Sequence, residues 1–321
     1  MDHSHHALDS LGGLSEGRIV GLMGTDVRVV AWARTQEAAT TAQEAAFEEM
    51  VRLQSIFSIY DPTSAISRWR RGEDFEVPDE LTIALGQARH WFDQSGHAFH
   101  PASRALHARW QRAATEGVVP SRDEMQEMAD AIAVLPWEFG AASDEHRIAD
   151  CSGVDLNAFA KGWIVDNGLA VGVGSAIGVT RIGVNAGGDL AHLTQDAHWK
   201  VGVEDPHRPS DNGADRLCTL SIGSQAVATS GLARRGFRVG DDWFGHVIDP
   251  RTGWPVEHVA QVSVVATDAA TADALATVCG VLPLDEGIAF VEATDGCEAL
   301  VVPADKALSP VSTSGWQRLL A

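Results

Sequence analysis

Ten consecutive residues, His246-Val247-Ile248-Asp249-Pro250-Arg251-Thr252-Gly253-Trp254-Pro255, hold an imidazole, a carboxylate, a guanidinium and a hydroxyl on a segment punctuated by Pro and Gly. The punctuation predicts a turn-rich loop that holds these groups close together. Ser230-Gly231 precede it, and the acid-hydroxyl pair Asp273 and Thr277 follows. This combination suits a phosphate ester bound beside a divalent metal, which marks the chain as an enzyme.

Each group has a chemical reading and a plainer one. His246 adjoins an acid and an arginine and would titrate near working pH, so it can relay a proton or simply fix the loop. Asp273 and Thr277 are four apart on an expected helix, which puts both on one face. Both are hard oxygen ligands suited to Mg²⁺; taken alone the pair reads as a first-turn acid and a filler threonine, and the histidine loop before it shifts the balance toward a metal. Asn185-Ala186-Gly187-Gly188-Asp189 follows an apolar strand, and its glycines permit a tight turn and close approach of a ligand. Asp189 then binds a ribose or adenine edge, or caps the turn. Lys161, in a rather apolar helical stretch with Asp155 and Asp166 flanking, neutralises phosphate, pairs with an acid, or snorkels to solvent. Ser230 lies in Ala228-Thr229-Ser230-Gly231, a candidate phosphate cradle without the surroundings of a hydrolase nucleophile. Tyr60, the sole tyrosine, stacks on an aromatic ring or packs in the core.

Bulk properties narrow the class. With 321 residues and 45% hydrophobic content the chain can bury a large core. Its formal charge of -20 repels polyanions, so nucleic acid is not an expected partner. The four cysteines, Cys151, Cys218, Cys279 and Cys297, are never closer than 18 residues, which fits free core thiols rather than a zinc knuckle or a disulfide scaffold. No apolar run reaches membrane-spanning length. The start of the chain has no basic region leading into an apolar one, so the expected location is cytoplasmic, or periplasmic if a leader has been removed. There is no glycine fingerprint for a nicotinamide dinucleotide.

The pattern of elements predicts an α+β protein whose N-terminal part is rich in helices. Residues 1–18 are expected as a disordered tail, with His3, His5 and His6 in it, followed by a single domain over 19–321. Strand, turn and strand are expected over 19–32, and an amphipathic helix over 36–57. A short helix starts at Ser64. Further helices are expected over 79–94, capped by Asp79, over 101–116, and over 121–133 with Ser121 and Glu124 as a capping box. Strands at 147–151, 180–185, 198–203 and 216–222 follow, with a helix over 157–171 between the first two. The stretch from Glu204 to Asp215 reads as a surface loop. Strands at 225–229 and 259–265 bracket the histidine loop, Ala269 to Cys279 reads as a helix, and 287–293 and 298–302 are expected to complete a sheet.

Taken together the motifs resemble the ApbE family, the FAD:protein FMN transferases. The likeness runs from about Val20 to Val302 through ordered pieces: MGT at 23–25, FSIYDPTSAISRW at 57–69, SGHAFHP at 95–101, DLNAFAKGWIVD at 155–166, VNAGGDL at 184–190, VGVEDP at 201–206, ATSG at 228–231, HVIDPRTGWP at 246–255 and TADALAT at 271–277. The resemblance implies an ApbE-like fold with mixed sheets and packed helices. It implies that FMN is moved from FAD to a Thr or Ser hydroxyl of an acceptor protein, with AMP released. By the same resemblance Mg²⁺ would be held by Asp273, Thr277 and the backbone carbonyl of Ala160. FAD would be surrounded by Met23, Gly24 and Thr25, by Tyr60, Lys161 and Asp189, and by the loops carrying Ser230, Gly231 and His246. Asp249 and Arg251 would belong to this pocket as the residues that order its loop, and His246 or Asp273 would take the proton of the acceptor hydroxyl.

Two positions depart from the family pattern: Arg70, where asparagine is common, and His100, where the family often has aspartate in an FDP triplet. They leave open an FAD pyrophosphatase that yields FMN and AMP, and a protein that binds FAD without turnover.

Overall fold

The computed structural model describes residues 12–139, 145–195, 197–208, 215–231 and 235–321. The first half runs β1 (Gly13–Leu22), β2 (Thr25–Ala33), α1 (Gln36–Phe57), α2 (Ala65–Arg71), α3 (Asp79–Gln94), α4 (Arg104–Glu116), α5 (Arg122–Ala131), β3 (Trp137–Phe139), β4 (Glu145–Arg147) and α6 (Ala160–Gly174). Next come β5 (Val179–Ala186), β6 (Asp189–Thr194), β7 (Trp199–Glu204), β8 (Arg216–Ile222), β9 (Ala226–Gly231), β10 (Gly236–Val239) and β11 (Asp242–Gly245). The chain finishes with β12 (Ile248–Asp249), β13 (Trp254–Pro255), β14 (Val259–Ala266), α7 (Ala269–Val281), α8 (Leu284–Glu292), β15 (Glu298–Pro303), β16 (Val311–Ser312) and a short turn of 3₁₀ helix, Trp316–Leu319.

Eight strands make one sheet in the order β1-β2-β5-β6-β9-β14-β15-β16, and every neighbouring pair is antiparallel. Helices α1, α6 and α7 cover one face. Alternate residues of the strands meet them, among them Ala228, Val262, Val264 and Val301. The opposite residues Val227, Val265 and Leu300 meet the β7–β8 hairpin and Trp316 in a second core. Strand β14 is therefore buried at every position, Gln261 and Ser263 included, as a strand covered on both faces must be. A third core joins α4 and α5 to the β10–β11 hairpin through Leu106, Trp110, Met125 and Phe237.

Small residues set the helix spacing. Helix α1 buries Ala39, Ala42, Ala46, Met50, Leu53 and Phe57 at helical intervals. Its alanines meet Gly168 and Gly172 of α6, where an added Cβ would lie 2.6 Å from Met50 Cγ and 2.8 Å from the Ala42 carbonyl oxygen respectively. Helix α7 is apolar on most of its surface and buried at nearly every position, which suits a helix packed between the sheet, α6 and α8. Among the described residues no helix is long and apolar enough to cross a membrane.

Several expectations need correction. The tail does not extend to residue 18: β1 begins at Gly13, because its backbone pairs with β2 from Gly13↔Ala33 onward whatever its polar side chains suggest. Residues 1–11, with His3, His5 and His6, lie outside the described residues, as do 209–214 of the expected loop. Asp79 is the first residue of α3 and not its cap; the cap position is Pro78, with no side-chain hydrogen bond. The strand expected at 147–151 ends at Arg147. The segment 287–293 is not a strand: it lies in α8 and its end, which Pro283 and the first-turn acids Asp285 and Glu286 announce.

Two buried imidazoles give the fold a pH limit. Burial brings His100 and His192 down to about 4 each, against the ordinary 6.5. Between those values the unfolded chain binds more protons than the folded one, so stability rises with pH across that window and is lost as pH falls from about 6.5 through 4. The loss is on the order of 3 kcal/mol for each residue. Urea unfolding at pH 7 and pH 4.5 should show this loss in the native sequence and a smaller one in His192→Asn; equal losses would mean that residue 192 is not a source.

Candidate active site

Helices α6 and α7 meet at their first turns. Gly162 makes this possible, since a Cβ there would collide with the Ala269 carbonyl and lie 2.8 Å from the Ala270 nitrogen. Asp166, one turn further along α6, completes the join. Its two carboxylate oxygens accept from the backbone N–H groups of Ala269 at 2.7 Å and Ala270 at 2.8 Å. The N-cap of α7, Asp268, accepts from Thr271 N at 2.8 Å. Two acids thus satisfy the free donors at the start of α7.

This join sets Lys161 beside Asp273. The Lys161 ammonium forms an ion pair with Asp189, at the start of β6, and its Nζ is 3.7 Å from Asp273 Oδ2. Burial opposes charge on Lys161, but the carboxylates of Asp273 and Asp189 outweigh it and hold the ammonium above its ordinary value. One cation cannot neutralise two buried acids. Burial, with the negative charge of Asp189, raises Asp273 to about 7. Asp273 Oδ2 is buried without a hydrogen-bond partner. The group therefore has a surplus of negative charge and one unsatisfied oxygen, the condition that a bound cation relieves.

Two tight turns frame these charges. Between β1 and β2, Met23 (φ 54°) and Gly24 (φ 71°) make a two-residue turn flanked by the Leu22↔Thr25 pair. Positive φ at both positions is the geometry that fits a twisted hairpin. Met23 accepts that conformation with its N–H bonded to Gln54 Oε1 of α1. Between β5 and β6, Gly187 (φ 65°) and Gly188 (φ 110°) do the same, and β6 then opens with Asp189.

The histidine loop is braced from outside. Asp249 receives Arg251 through Nε at 2.9 Å and a terminal nitrogen at 2.8 Å, a bidentate pair. Trp110 Nε1 of α4 donates to the Gly253 carbonyl at 2.9 Å, and Gln126 of α5 donates to the Arg251 carbonyl at 3.0 Å. His246 Nδ1 stands 3.3 Å from the Arg235 carbonyl oxygen. A carbonyl only accepts, so Nδ1 carries the hydrogen and Nε2 keeps its lone pair. Burial, assisted by the nearby Arg235 charge, lowers His246 to about 4, so the ring is neutral at pH 7.

One cleft of about 1840 Å³ joins these parts. Met23, Gly24, Tyr60, Ala160, Lys161, Asp189, Ser230, Gly231, His246, Asp273 and Thr277 all line it. Tyr60 stands at 81% exposure, so it is a rim residue and not core. Three expected pocket residues are placed differently. Thr25 is outside that lining and packs on Gly187, its Cβ 2.9 Å from where a Gly187 Cβ would be. Asp249 and Arg251 are also outside it and act on the loop through each other. Arg104, Asp155 and Arg235 line the cleft without having been singled out as site residues. Arg104 opens α4 three residues after the SGHAFHP segment, and no local spacing marks it as a cleft residue. Arg235 stands eleven residues before His246, and a basic residue leading into that loop was a usable signal. Among the described residues no three His, Cys, Asp or Glu side chains are grouped to hold a metal. A cation here would rely on Asp273 with a hydroxyl and a carbonyl.

The sequence profile of the ApbE family matches residues 23–301, a span that takes in both turns, Lys161, the histidine loop and Asp273. The chain belongs to the ApbE family. It is 28% identical over 246 residues to an FAD:protein FMN transferase of Treponema pallidum, a match covering 72% of this chain and 67% of that one. With an FAD:protein FMN transferase of Vibrio cholerae it shares 31% over 172 residues, 52% of this chain and half of the relative's length. The crystal structure of an ApbE protein from Thermotoga maritima superposes with a TM-score of 0.83 at 26% identity, covering 96% of this chain and 99% of that one. The flavin transferase ApbE of Vibrio cholerae superposes at 0.76 over 96% of this chain and 100% of that one; at 22% identity it supports the fold alone.

The two departures from the family pattern have structural partners. Arg70 donates to the Ser152 carbonyl and is not in the cleft lining. His100 is in the lining, yet both ring nitrogens are engaged: Nε2 is 2.7 Å from the Ile132 carbonyl oxygen and Nδ1 accepts from Ala102 N at 3.1 Å. Neither change removes a member of the Lys161 charge group.

The helix join has a direct test. Gly162→Ala should cost about 1–3 kcal/mol or more through overpacking against backbone and should weaken FAD binding as Lys161 and Asp273 move apart. Thermal unfolding and flavin fluorescence titration measure the two effects. Native values for both would show that the close approach of α6 and α7 is dispensable.

Proposed function

We propose that this chain is an FAD:protein FMN transferase, moving the FMN part of FAD to a Thr or Ser hydroxyl of an acceptor protein with release of AMP. The observation that carries the reading is the buried group Lys161, Asp189 and Asp273, with its unpartnered carboxylate oxygen, inside a cleft large enough for a dinucleotide. The names of the relatives above point the same way. A dinucleotide pyrophosphate is anionic, and Lys161 and Arg235 are the cleft cations nearest the reacting groups.

Mg²⁺ fits this site. Asp273, Thr277 and the carbonyl of Ala160 are hard oxygen donors that line the same cleft, and a set with one carboxylate leaves positions for phosphate and water. The ion would offset the pyrophosphate charge and stabilise the leaving AMP.

The chain's own residues account for the rest. Lys161 is held by Asp189, so its ammonium stands at a fixed point where phosphate charge can be met. The glycine turn at 187–188 and Ser230-Gly231 let phosphate approach backbone. The acceptor hydroxyl oxygen attacks the phosphorus of the FMN half. The bond from that phosphorus to the bridging oxygen breaks, and its electron pair leaves with AMP. His246 receives the hydroxyl proton on Nε2, the nitrogen that the Arg235 carbonyl leaves free. Asp273 is the other candidate for that proton, but it would be engaged in holding the cation.

The test is chromatography of FAD, Mg²⁺ and purified protein, with an acceptor fragment carrying one threonine among glycine, alanine and serine. AMP release matched by flavin bound covalently to the fragment is the expected result. AMP and free FMN formed equally without the fragment would replace the acceptor by water, and unchanged FAD throughout would overturn catalysis. Asp273→Ala should abolish transfer. His246→Asn should slow turnover about 10²–10³-fold while FAD still binds, as read by flavin fluorescence. Undiminished turnover in His246→Asn would transfer the proton role elsewhere.

A further inference from the structure

Helix α4 turns one narrow stripe of its surface to the cleft. Arg104, His107, Ala108 and Gln111 line it, at the intervals that place residues on one helical face. The neighbouring face, with Leu106, Trp110 and Ala113, is buried in the third core. Among the described residues the side chains of Arg104, His107 and Gln111 have no hydrogen bond or ion pair to the protein. Lys161 and His246 differ, since each is held by an acceptor of the chain itself. Polar side chains that face a cleft in a row and bond to nothing in the chain are placed to bond to what fills it.

The stripe adjoins the reacting groups. The His107 ring is 6.4 Å from that of Phe237, which follows Arg235, whose carbonyl oxygen faces His246 Nδ1. Charges on His107 and on Lys161 both act on His246. In an in-line displacement the leaving group departs opposite the attacking oxygen. His246 takes the proton of that oxygen, so AMP leaves on the side away from it, and a stripe beside His246 borders the FMN half. Arg104 and His107 are half-buried and Gln111 is exposed, so the stripe runs outward over about 10 Å. Its chemistry is mixed. Arg104 only donates, while Gln111 donates and accepts. Burial holds His107 below its ordinary value, so its ring keeps one donor and one acceptor. A flavin calls for that mixture: ribityl hydroxyls do both, and the pyrimidine edge of the ring alternates carbonyl, N–H and carbonyl.

From this we infer that α4 reads the FMN half of FAD: His107 and Gln111 hydrogen-bond its ribityl chain and ring edge, and Arg104 donates to an oxygen of the same half. The inference rests on the transferase reading. These residues set specificity and undergo no covalent change. Trp110 of the same helix donates to Gly253 in the histidine loop. The element that reads the flavin therefore also braces the loop that carries the base, and a flavin seated on α4 is registered against His246 through one support.

The test is to bind the two halves of FAD separately with Mg²⁺ present, FMN by flavin fluorescence and AMP by calorimetry, to the native protein, Gln111→Ala and His107→Leu. Gln111 is exposed, so its substitution leaves the fold intact, which thermal unfolding checks. Each substitution should weaken FMN about three- to tenfold, the loss expected for one hydrogen bond, and leave AMP unchanged. Native FMN affinity in both variants would overturn the assignment. Weakened AMP with FMN unchanged would give the stripe to the adenine half, and a raised KM for the acceptor fragment alone would give it to the acceptor; either result also overturns it. Equal weakening of FMN and AMP would mean that α4 only shapes the cleft and does not read the flavin. The transferase reading fails separately: a native protein that binds FMN but flavinylates no fragment would sink that reading, while the variants would still report on α4.

Discussion

The site depends on holding one ammonium between two carboxylates at the seam of two helices. An ion group of this kind is unfavourable to bury and is retained only where its geometry is enforced. Here the enforcement is covalent and steric before it is electrostatic. Lys161 and Gly162 are neighbours in sequence, so the position that carries the charge adjoins the position that lets α7 come close. Asp189 reaches the same ammonium from the sheet because the glycine turn leaves it at the first position of β6. Three segments remote from one another in sequence converge there because each is anchored by its own backbone.

The antiparallel sheet extends this logic to the cleft. Its two tightest turns, at Met23-Gly24 and Gly187-Gly188, lie at the same end, since Val27 pairs with Ala186. The histidine loop has aromatic supports beside its internal Asp249–Arg251 pair: Trp110 holds Gly253, and Trp254 packs edge-on against Trp110 with centroids 4.9 Å apart. Such contacts are insensitive to salt, whereas the exposed ion pairs elsewhere on the surface contribute little. The loop can present a neutral imidazole to the cleft because the charges that brace it, Asp249 and Arg251, are paired with each other outside the cleft lining.

Where sequence and structure agree, the cause is usually a period or a cap. The helices expected over 36–57 and 79–94 form over those residues because apolar positions recur at helical spacing. Ser121 accepts from Glu124 N as its spacing implies. Asp273 and Thr277 share the cleft because four residues on a helix mean one face. Disagreement arises where context overrides pattern. The run after Gly287 is apolar enough for a strand, but Pro283 and two acids had already started a helix. Asp249 and Arg251 order the loop as expected, by pairing with each other two residues apart, but they stand outside the cleft lining in which they were placed. Nothing local marks Arg104, because tertiary folding alone brings α4 to the cleft, whereas Arg235 is marked by its place ahead of the histidine loop.

The carboxylate of Asp166 ties the backbone of α7 to α6 and never meets the cleft lining. Its consequence is one for genetics. A screen that selects for lost activity will return Asp166 and Gly162 beside the residues that touch substrate, and activity alone will not tell the two groups apart. Substitution of a side chain that only ends in the cleft leaves the helices where they are. Substitution at the seam moves the frame from which every reacting group is measured, so the hidden positions will tolerate fewer alternatives than the visible ones.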